Sequence, residues 1–596
     1  MNNQKLLMFA VAGLLVPAAD AAADIRAGRP VMVVPHPKAD TAPTTGTPVR
    51  LKKTDSEQAG NEDSSFALFA DGKTGLAFAL TTELPGINAG DAPRRANHRV
   101  QLSLVPFQLA LVNGAVEVQP DIAKSKFVTN NDGNEYRNAH ASSAFAIDGG
   151  AAICAQYNYQ PAGQGDTKLY TQCFNQAGAV VMPQTETFAK NNDDCSMAET
   201  KSQLIDKVGA TERYVRWHGC NGNGNDNAWV GVSSITKTAT GYTIKRDMDL
   251  TVIANEERSR GNCYVVPGAA GEQPFAICAG TAGNTQPQRD GTYLIAVNLD
   301  PAIKGQNQQQ ALLWRKQIGG RKQIEGTTTY SMRAMINPVL DAQGQPTNRV
   351  FWRSGAVQGN NNDNRKGGQY IQNEVAVMEV TKTGYTYVTP MTGLAYTALL
   401  GIDGTHNLNT SVLVGAGADL KPALLVQNGS HTGGQGTSTI RAIGWDGKGF
   451  SNLGTFAGPA HDRHLYNNYL GNNPGNQGRG HAFAQMIPNP YFGQNGNNDK
   501  FVVVYSTTAK GAVMDPARKL GAYLSVLPVA SGAPAAGGGG TGGGTGGGTG
   551  GGATGGTTDE TADGSDTTLG GCSTTGSGGL ATFLLIGLAA FIRRRR

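Results

Sequence analysis

A metal site is the first chemistry to test for in this sequence, because His461, Asp462 and His464 stand within four residues of one another. Imidazole nitrogens and carboxylate oxygens together ligate transition metals, and His481 follows further along the chain. The other interpretation is a polar, asparagine-rich loop whose histidines hydrogen-bond the backbone of the turn. We favour the polar loop and predict neither a metal nor another cofactor.

Four tracts rich in Asn, Asp and Gly are candidate Ca²⁺ loops, since their side chains offer oxygen ligands. They lie at residues 130–134, 221–227, 360–364 and 495–499. None has the alternating acids of an EF-hand, and most hold a single acid. Because Asn and Gly also form turns by themselves, we expect structural turns, with a structural Ca²⁺ as the alternative.

Motifs for covalent or metal-assisted catalysis are missing from the sequence. It contains neither a G-x-S-x-G elbow nor H-E-x-x-H, and it lacks the S-x-D-x-G-x-T-W boxes of propeller sialidases. The formal net charge is +5, of which the arginines at 593–596 contribute four. This near-neutral remainder argues against a nucleic-acid partner.

The cysteines predict a disulfide-bonded, exported protein. Six lie between Cys154 and Cys278, and the seventh is Cys572. An even number without paired C-x-x-C spacing indicates disulfides rather than zinc. Strand positions predict the bonds Cys154–Cys173 and Cys263–Cys278, and exclusion leaves Cys195–Cys220.

A repeated strand pattern organises the chain from Ser65 onward. Each unit has a hairpin of two apolar strands, a polar loop, a longer strand, a glycine turn and a shorter strand. The turn glycines recur at intervals of roughly sixty residues: Gly114, Gly178, Gly241, Gly305, Gly384 and Gly447. One longer interval holds two expected insertions, at 337–348 and 360–368. Seven four-stranded units predict an all-β, seven-bladed β-propeller.

The last unit lacks one strand, and an isolated strand at 31–34 can supply it. We therefore expect this N-terminal strand to pair near 501–505 or 520–527 and close the ring, which removes an open sheet edge. The alternative fold is a set of tandem β-sandwiches, whose strands also recur at short intervals.

Both ends of the chain indicate export and attachment. Lys5 precedes an apolar run at 6–16 and small residues at 19–23, which predicts a signal peptide over 1–23. The propeller would occupy 24–530. A Gly/Thr-rich flexible linker follows at 531–571, and the tail at 572–596 has a cysteine, a short apolar run and an arginine cluster.

This tail, with Gly571 and Cys572 at its start, resembles the MYXO-CTERM sorting domain of myxobacterial surface proteins. The resemblance covers residues 570–596. It implies a short transmembrane helix, processing by a sorting protease and display on the outer membrane of a Gram-negative bacterium, with Cys572 as the modified residue. The partners it implies are that protease and the membrane.

Together these features predict a surface-tethered propeller that binds an extracellular polysaccharide or protein in adhesion or recognition, without catalysis. The alternative is an exported hydrolase or lyase that acts on extracellular polymer at one mouth of the central channel. Carboxylates clustered at a channel mouth would favour the enzyme.

Overall fold

The described strands form antiparallel sheets, in which most strands pair with the strand next to them in the sequence. The computed structural model describes residues 31–35, 58–84, 99–127, 143–159, 168–188, 193–196, 202–222, 227–253, 260–268, 272–282, 291–303, 305–324, 327–358, 369–395, 404–415, 420–429, 438–456, 483–509 and 521–528. Over these stretches the protein is an all-β, seven-bladed β-propeller, which confirms the predicted fold class. The tandem-sandwich alternative is wrong. The chain divides into the units Met1–Gly537 and Gly538–Arg596, and the described residues belong to the first.

The N-terminal half of the ring contains three blades, numbered in chain order. The first contains β2 (Gln58–Leu68), β3 (Thr74–Leu84), β4 (Arg99–Val112) and β5 (Ala115–Pro120), with the short β6 (Lys126–Phe127) beside β4. The second contains β7 (Ser143–Ile147), β8 (Ala152–Tyr159), β9 (Lys168–Phe174) and β10 (Val180–Phe188). The third has an inner strand in two parts, β11 (Asp193–Ser196) and β12 (Gln203–Val208), followed by β13 (Thr211–Gly222), β14 (Asn227–Lys237) and β15 (Tyr242–Ile253).

The remaining blades complete the ring. The fourth contains β16 (Arg260–Val266), β17 (Phe275–Ala282), β18 (Gly291–Asn298) and β19 (Leu312–Ile324). The fifth contains β20 (Thr327–Leu340), β21 (Pro346–Gln358), β22 (Gln369–Val380) and β23 (Tyr385–Ala395). The sixth contains β24 (Gly404–Val414), β25 (Lys421–Gly429), β26 (Ser438–Trp445) and β27 (Phe450–Phe456). The seventh contains β28 (Phe483–Pro488), β29 (Phe501–Ala509) and β30 (Gly521–Pro528).

The outermost strand of the seventh blade is the N-terminal strand β1 (Val31–Pro35). It pairs antiparallel with β30, with Val31 opposite Leu524 and Pro35 opposite Gly521. Of the two partners expected from the sequence, the second is confirmed. The two ends of the propeller chain therefore share one sheet.

An apolar cluster fills each junction between neighbouring blades, seven in all within the described chain. The junction between the seventh and first blades holds Phe66 and Val105 against Val502 and Val504. Burying a side chain of this size stabilises the fold by about 1.5–3 kcal/mol. Because the last blade packs on the first as the others pack on their neighbours, the ring is closed in its core as well as in its sheet.

The blades place two kinds of connection on opposite faces of the ring. On the hairpin face, turns join the first strand of a blade to the second and the third to the fourth. On the loop face lie the strand ends that lead from the second strand to the third and from one blade to the next. The tight turn at Asn113 and Gly114 is typical of the hairpin face: both residues have positive φ, 51° and 81°, as a two-residue hairpin turn requires.

Two of the predicted disulfides are present. Cys154 bonds Cys173 between β8 and β9, and Cys263 bonds Cys278 between β16 and β17. Their Cα atoms are 3.9 and 4.0 Å apart, because each pair lies directly opposite across an antiparallel ladder. The register of β11 and β13 likewise sets Cys195 opposite Cys220. Their side chains lie outside what is described, so that third bond stays a prediction.

The segment 337–348 is regular structure rather than the insertion that the sequence suggested. Strand β20 continues to Leu340, and β21 starts at Pro346. The turn between them is held by Asp341, whose Oδ1 accepts hydrogen bonds from the backbone N–H groups of Gln343 and Gln345. Longer strands therefore contribute to the longer spacing in the sequence, and the second expected insertion, at 360–368, lies outside the described residues.

Candidate binding site between the second and third blades

Strand β13 turns a polar face to the second blade and an apolar face to the fourth. Its apolar side includes Val215 and Trp217, which lie in the cluster shared with the fourth blade. Four residues alternate along the other side, from the hairpin face towards the loop face: Glu212, Tyr214, Arg216 and His218. Since side chains alternate along a strand, one strand carries an acid near one end of this junction and bases near the other.

The hairpin-face end of the junction holds the Glu212 cluster, which comprises Asp148, Lys207, Glu212, Tyr214, Lys237 and Tyr242. The Glu212 carboxylate accepts hydrogen bonds from the Asp148 backbone N–H and the Tyr214 hydroxyl, both at 2.7 Å. The Asp148 carboxylate accepts from Lys207 Nζ at 2.9 Å and Lys237 Nζ at 2.6 Å. Two carboxylates therefore face two ammonium groups, and the cluster is neutral.

These contacts change the acidity of the groups involved. Hydrogen bonds from Lys207, and then from Lys237, lower the pKa of Asp148 to about 2, although burial opposes them. Burial, followed by the hydrogen bond to Glu212, raises the pKa of Tyr214 well above its ordinary value. Both shifts favour the ionisation state that the cluster already uses, a charged Asp148 and a neutral Tyr214.

The middle of the junction is apolar. Phe145 and Met182 of the second blade pack with Ile235 of the third around the Cys154–Cys173 disulfide. This layer separates the Glu212 cluster from a second group of charges nearer the loop face.

That second group is the Arg216 cluster, which comprises Phe188, Arg216, His218, Trp229, Arg246 and Asp249. Arg246 donates from Nε to Asp249 Oδ2 at 3.0 Å, and its guanidinium carbon lies 5.1 Å from the centre of the Phe188 ring. His218 Nε2 is 3.8 Å from Asp249 Oδ1. A guanidinium over an aromatic face gains cation–π attraction, so Phe188 and Asp249 together hold Arg246 in place.

Close packing around His218 explains a glycine in the adjacent strand. Gly231 lies opposite Arg216 on one side and Asp249 on the other. A Cβ atom at this position would come within 2.7 Å of His218 Cε1 and 3.3 Å of Asp249 Oδ1. Only a residue without a side chain leaves room for both groups on the same face of the sheet.

Arg216 is the most unusual member of the cluster, since it is a charged side chain with 3% of its surface exposed. Its Nη2 donates to the Thr187 carbonyl at 2.8 Å, and its Nε has no hydrogen-bond partner among the described residues. Burial lowers the pKa of Arg216 to about 10, with Asp249 opposing the shift and Arg246 adding to it. At neutral pH the group is therefore charged, buried and incompletely bonded, which is an unfavourable state.

A chain of buried polar groups runs from Ser202, just before β12, through the second blade to Arg216. Ser202 donates to Gln156 at 2.7 Å, and Gln156 donates to the Thr171 hydroxyl at 3.2 Å. Thr171 donates in turn to the Thr187 hydroxyl at 3.3 Å. The polar face of β13 thus meets a polar face of the second blade.

The candidates from the sequence fall mostly outside the described residues. This holds for His461, Asp462, His464 and His481, and for Gly571 and Cys572. Within the described stretches, no group of three or more His, Cys, Asp and Glu side chains is placed to hold a metal ion. None of the described helices has the length and apolar character to cross a membrane.

Of the four Asn/Gly tracts, the one at 495–499 lies entirely within the described chain. Asn497 Oδ1 accepts hydrogen bonds from Asn489 Nδ2 at 2.7 Å and from the Asp499 N–H at 3.2 Å, while Asn497 Nδ2 donates to the Gly114 carbonyl at 3.1 Å. These amides fold the turn of the seventh blade against the first. The tract at 221–227 covers the facing ends of β13 and β14, and the tracts at 130–134 and 360–364 lie outside the description.

Sequence reasoning missed the Arg216 cluster. The available signal was the alternation of charged and polar residues with Val215 and Trp217 in β13. On its own, that alternation predicts a strand with one solvated face. The fold instead turns the polar face towards the next blade.

No protein-family profile matches the sequence, and no curated protein matches it. Among solved structures, the chain is similar to Trypanosoma rangeli sialidase in complex with the inhibitor DANA, with a TM-score of 0.34 and 7% identity, over 68% of this chain and 56% of that one. It thus spans just over half of the sialidase chain. It is also similar to the exotype rhamnogalacturonan lyase YesX, with a TM-score of 0.35 and 12% identity, over 84% and 76% of the two chains. A third match is the WD40 domain of SCAP from fission yeast, with a TM-score of 0.27 and 10% identity, over 80% and 99%. At these scores and identities the matches bear on neither the ligand nor the chemistry of this chain.

Proposed function

We propose that this protein is a surface-attached propeller that binds an extracellular polysaccharide. The observation that carries the proposal is the Arg216 cluster, where charged groups converge among buried aromatic rings. A few polar groups placed in largely apolar surroundings are typical of small-ligand sites in proteins.

Binding of a polymer can be measured directly. We expect the full-length protein to be retarded in native gels that contain extracellular polysaccharide, and its heat-unfolded form to migrate unchanged. Migration that is independent of every polysaccharide would contradict the proposal. An increase in reducing ends or unsaturated products during the same incubation would instead identify the alternative, a hydrolase or lyase.

Attachment to the cell surface is the second part of the proposal. It is supported by the sequence of the Gly/Thr-rich segment 531–571 and by the cysteine, apolar run and arginines that follow. A Gly-rich chain of roughly forty residues has a root-mean-square span on the order of 35 Å, which would carry the propeller clear of its anchor. In this scheme a sorting protease removes the arginines and Cys572 is the point of attachment.

Cys572→Ala tests that scheme. We expect the variant either to retain its C-terminal arginines or to be released into the medium, while the propeller stays folded. Mass spectrometry of the mature surface protein provides the measurement. Recovery of the arginines at 593–596 from the wild-type surface protein would rule out removal of the tail.

A further inference from the structure

We propose that the Arg216 cluster binds the carboxylate of an acidic sugar, with Arg246 as the accessible donor and Arg216 as the buried charge behind it. The inference rests on the proposed function, because it names the class of sugar that the propeller takes. It follows from three features of the cluster: its balance of charge, its unused donors and its exposure.

The charges of the cluster do not balance among the described residues. Arg216 and Arg246 are both cations, and Asp249 is the carboxylate that acts on Arg216. Asp249 already accepts two hydrogen bonds from Arg246 and lies 3.8 Å from His218. One positive charge is thus left over in a place where Arg216 is 3% exposed. A buried cation is stable only when it is paired or hydrogen-bonded.

Donors are left over as well. Arg216 uses Nη2 on the Thr187 carbonyl, while no group in the described part of the chain bonds its buried Nε. Arg246 uses Nε and Nη2 on Asp249. A guanidinium has five N–H donors in a planar fork, and a carboxylate matches two of them at once. A ligand carboxylate at the Arg246 guanidinium would supply the negative charge that balances Arg216.

Access to the cluster is through Arg246. Its side chain is 37% exposed, and its guanidinium lies over Phe188, which is buried. A ligand carboxylate can replace water at the exposed edge of Arg246 while Asp249 keeps the guanidinium oriented. The charge of Arg216, which is buried where solvent screens poorly, then adds to the attraction, although water screens the partly exposed Arg246.

The Glu212 cluster shows that this imbalance is local. Both clusters lie on the same face of β13 and in the same junction. At the hairpin-face end, two acids and two lysines satisfy one another, so no anion is required. The charges in this junction are therefore balanced at the hairpin-face end, while the cluster nearer the loop face lacks one negative charge in the part of the chain that is described.

The test uses the full-length protein and two probes that differ only at the carboxyl group, a glucuronate oligosaccharide and its methyl ester. We expect calorimetry to show binding of the acid at least tenfold tighter than binding of the ester. Arg246→Gln should reduce affinity for the acid at least tenfold. Lys245→Gln is the matched control, because it removes the same charge from the neighbouring residue, whose side chain is 75% exposed. It should stay within about twofold of wild type, as expected for a screened surface charge.

Three outcomes would overturn the inference. They are equal binding of acid and ester, equal losses in Arg246→Gln and Lys245→Gln, and binding of inorganic sulfate as tight as binding of the oligosaccharide, which would mean a general anion site. If other polysaccharides still bound, only this inference would fail. If no polysaccharide bound at all, the proposed function would fail with it. Arg246 is partly exposed, so its variant tests the proposal even if substitutions at Arg216 prevent folding.

Discussion

The Glu212 cluster and the Arg216 cluster contain side chains from the same face of β13, but they differ in how their charged groups are paired. In the first, each carboxylate accepts hydrogen bonds from identified donors, and acids equal lysines in number. In the second, two guanidinium groups share Asp249, and Nε of the more buried one is unbonded within the described stretches. The first cluster can connect the second and third blades without an external ligand. The second is arranged as a site that an external anion completes.

The largest effect on stability should come from Glu212→Ala. The substitution removes the acceptor for the Asp148 N–H and the Tyr214 hydroxyl and takes a partner from Lys207. Leaving a buried donor without its acceptor destabilises a protein by about 1–3 kcal/mol, whereas the ion pair with the partly exposed Lys207 adds little. We expect a clear fall in the urea midpoint of unfolding. Glu117→Ala, on the outer strand of the first blade, is the control and should change the midpoint little.

A smaller effect, dependent on pH, should come from Asp148→Asn. The pKa of Asp148 is about 2 in the folded protein, below its ordinary value, so the carboxylate stabilises the fold above about pH 4 and loses that effect as the pH falls towards 2. We expect the variant to lose on the order of 1 kcal/mol at neutral pH, since Lys207 and Lys237 are partly exposed.

We do not expect the substitution of Asp148 by asparagine to strain the backbone. Asp148 has a φ of 51°, a conformation that asparagine also tolerates. Urea midpoints measured from pH 2 to 7 should converge for the two proteins at the acid end. A constant difference across the whole range would show that Asp148 does not titrate as described.

The smallest effect on stability should come from Arg216→Met. Replacing a buried charge by an apolar side chain of similar size is often neutral or stabilising. The substitution removes one hydrogen bond, from Arg216 to the Thr187 carbonyl. We expect the urea midpoint without ligand to stay at or above the wild-type value. A fall as large as that of Glu212→Ala would mean that Arg216 is a structural group and that the two clusters do not differ as described.

The fold was predictable from the sequence because propeller blades repeat a local pattern. The hairpins around Gly114 and Gly178 and the cysteines at 154, 173, 263 and 278 all follow from alternation and turn chemistry. The closing strand was predictable because an open edge requires a partner. The site was not predictable: whether Glu212 and Arg216 face water or another blade depends on packing between units, and alternation in β13 is the same in both cases.

A crystal structure of the full-length protein with the glucuronate oligosaccharide would test the central claim most directly. We expect a carboxylate of the ligand within about 3 Å of the Arg246 guanidinium, with Asp249 still bonded to Arg246 and the Glu212 cluster unchanged. A ligand ordered elsewhere on the propeller, with the Arg216 cluster as it is here, would contradict the claim that this cluster is a site for an acidic sugar.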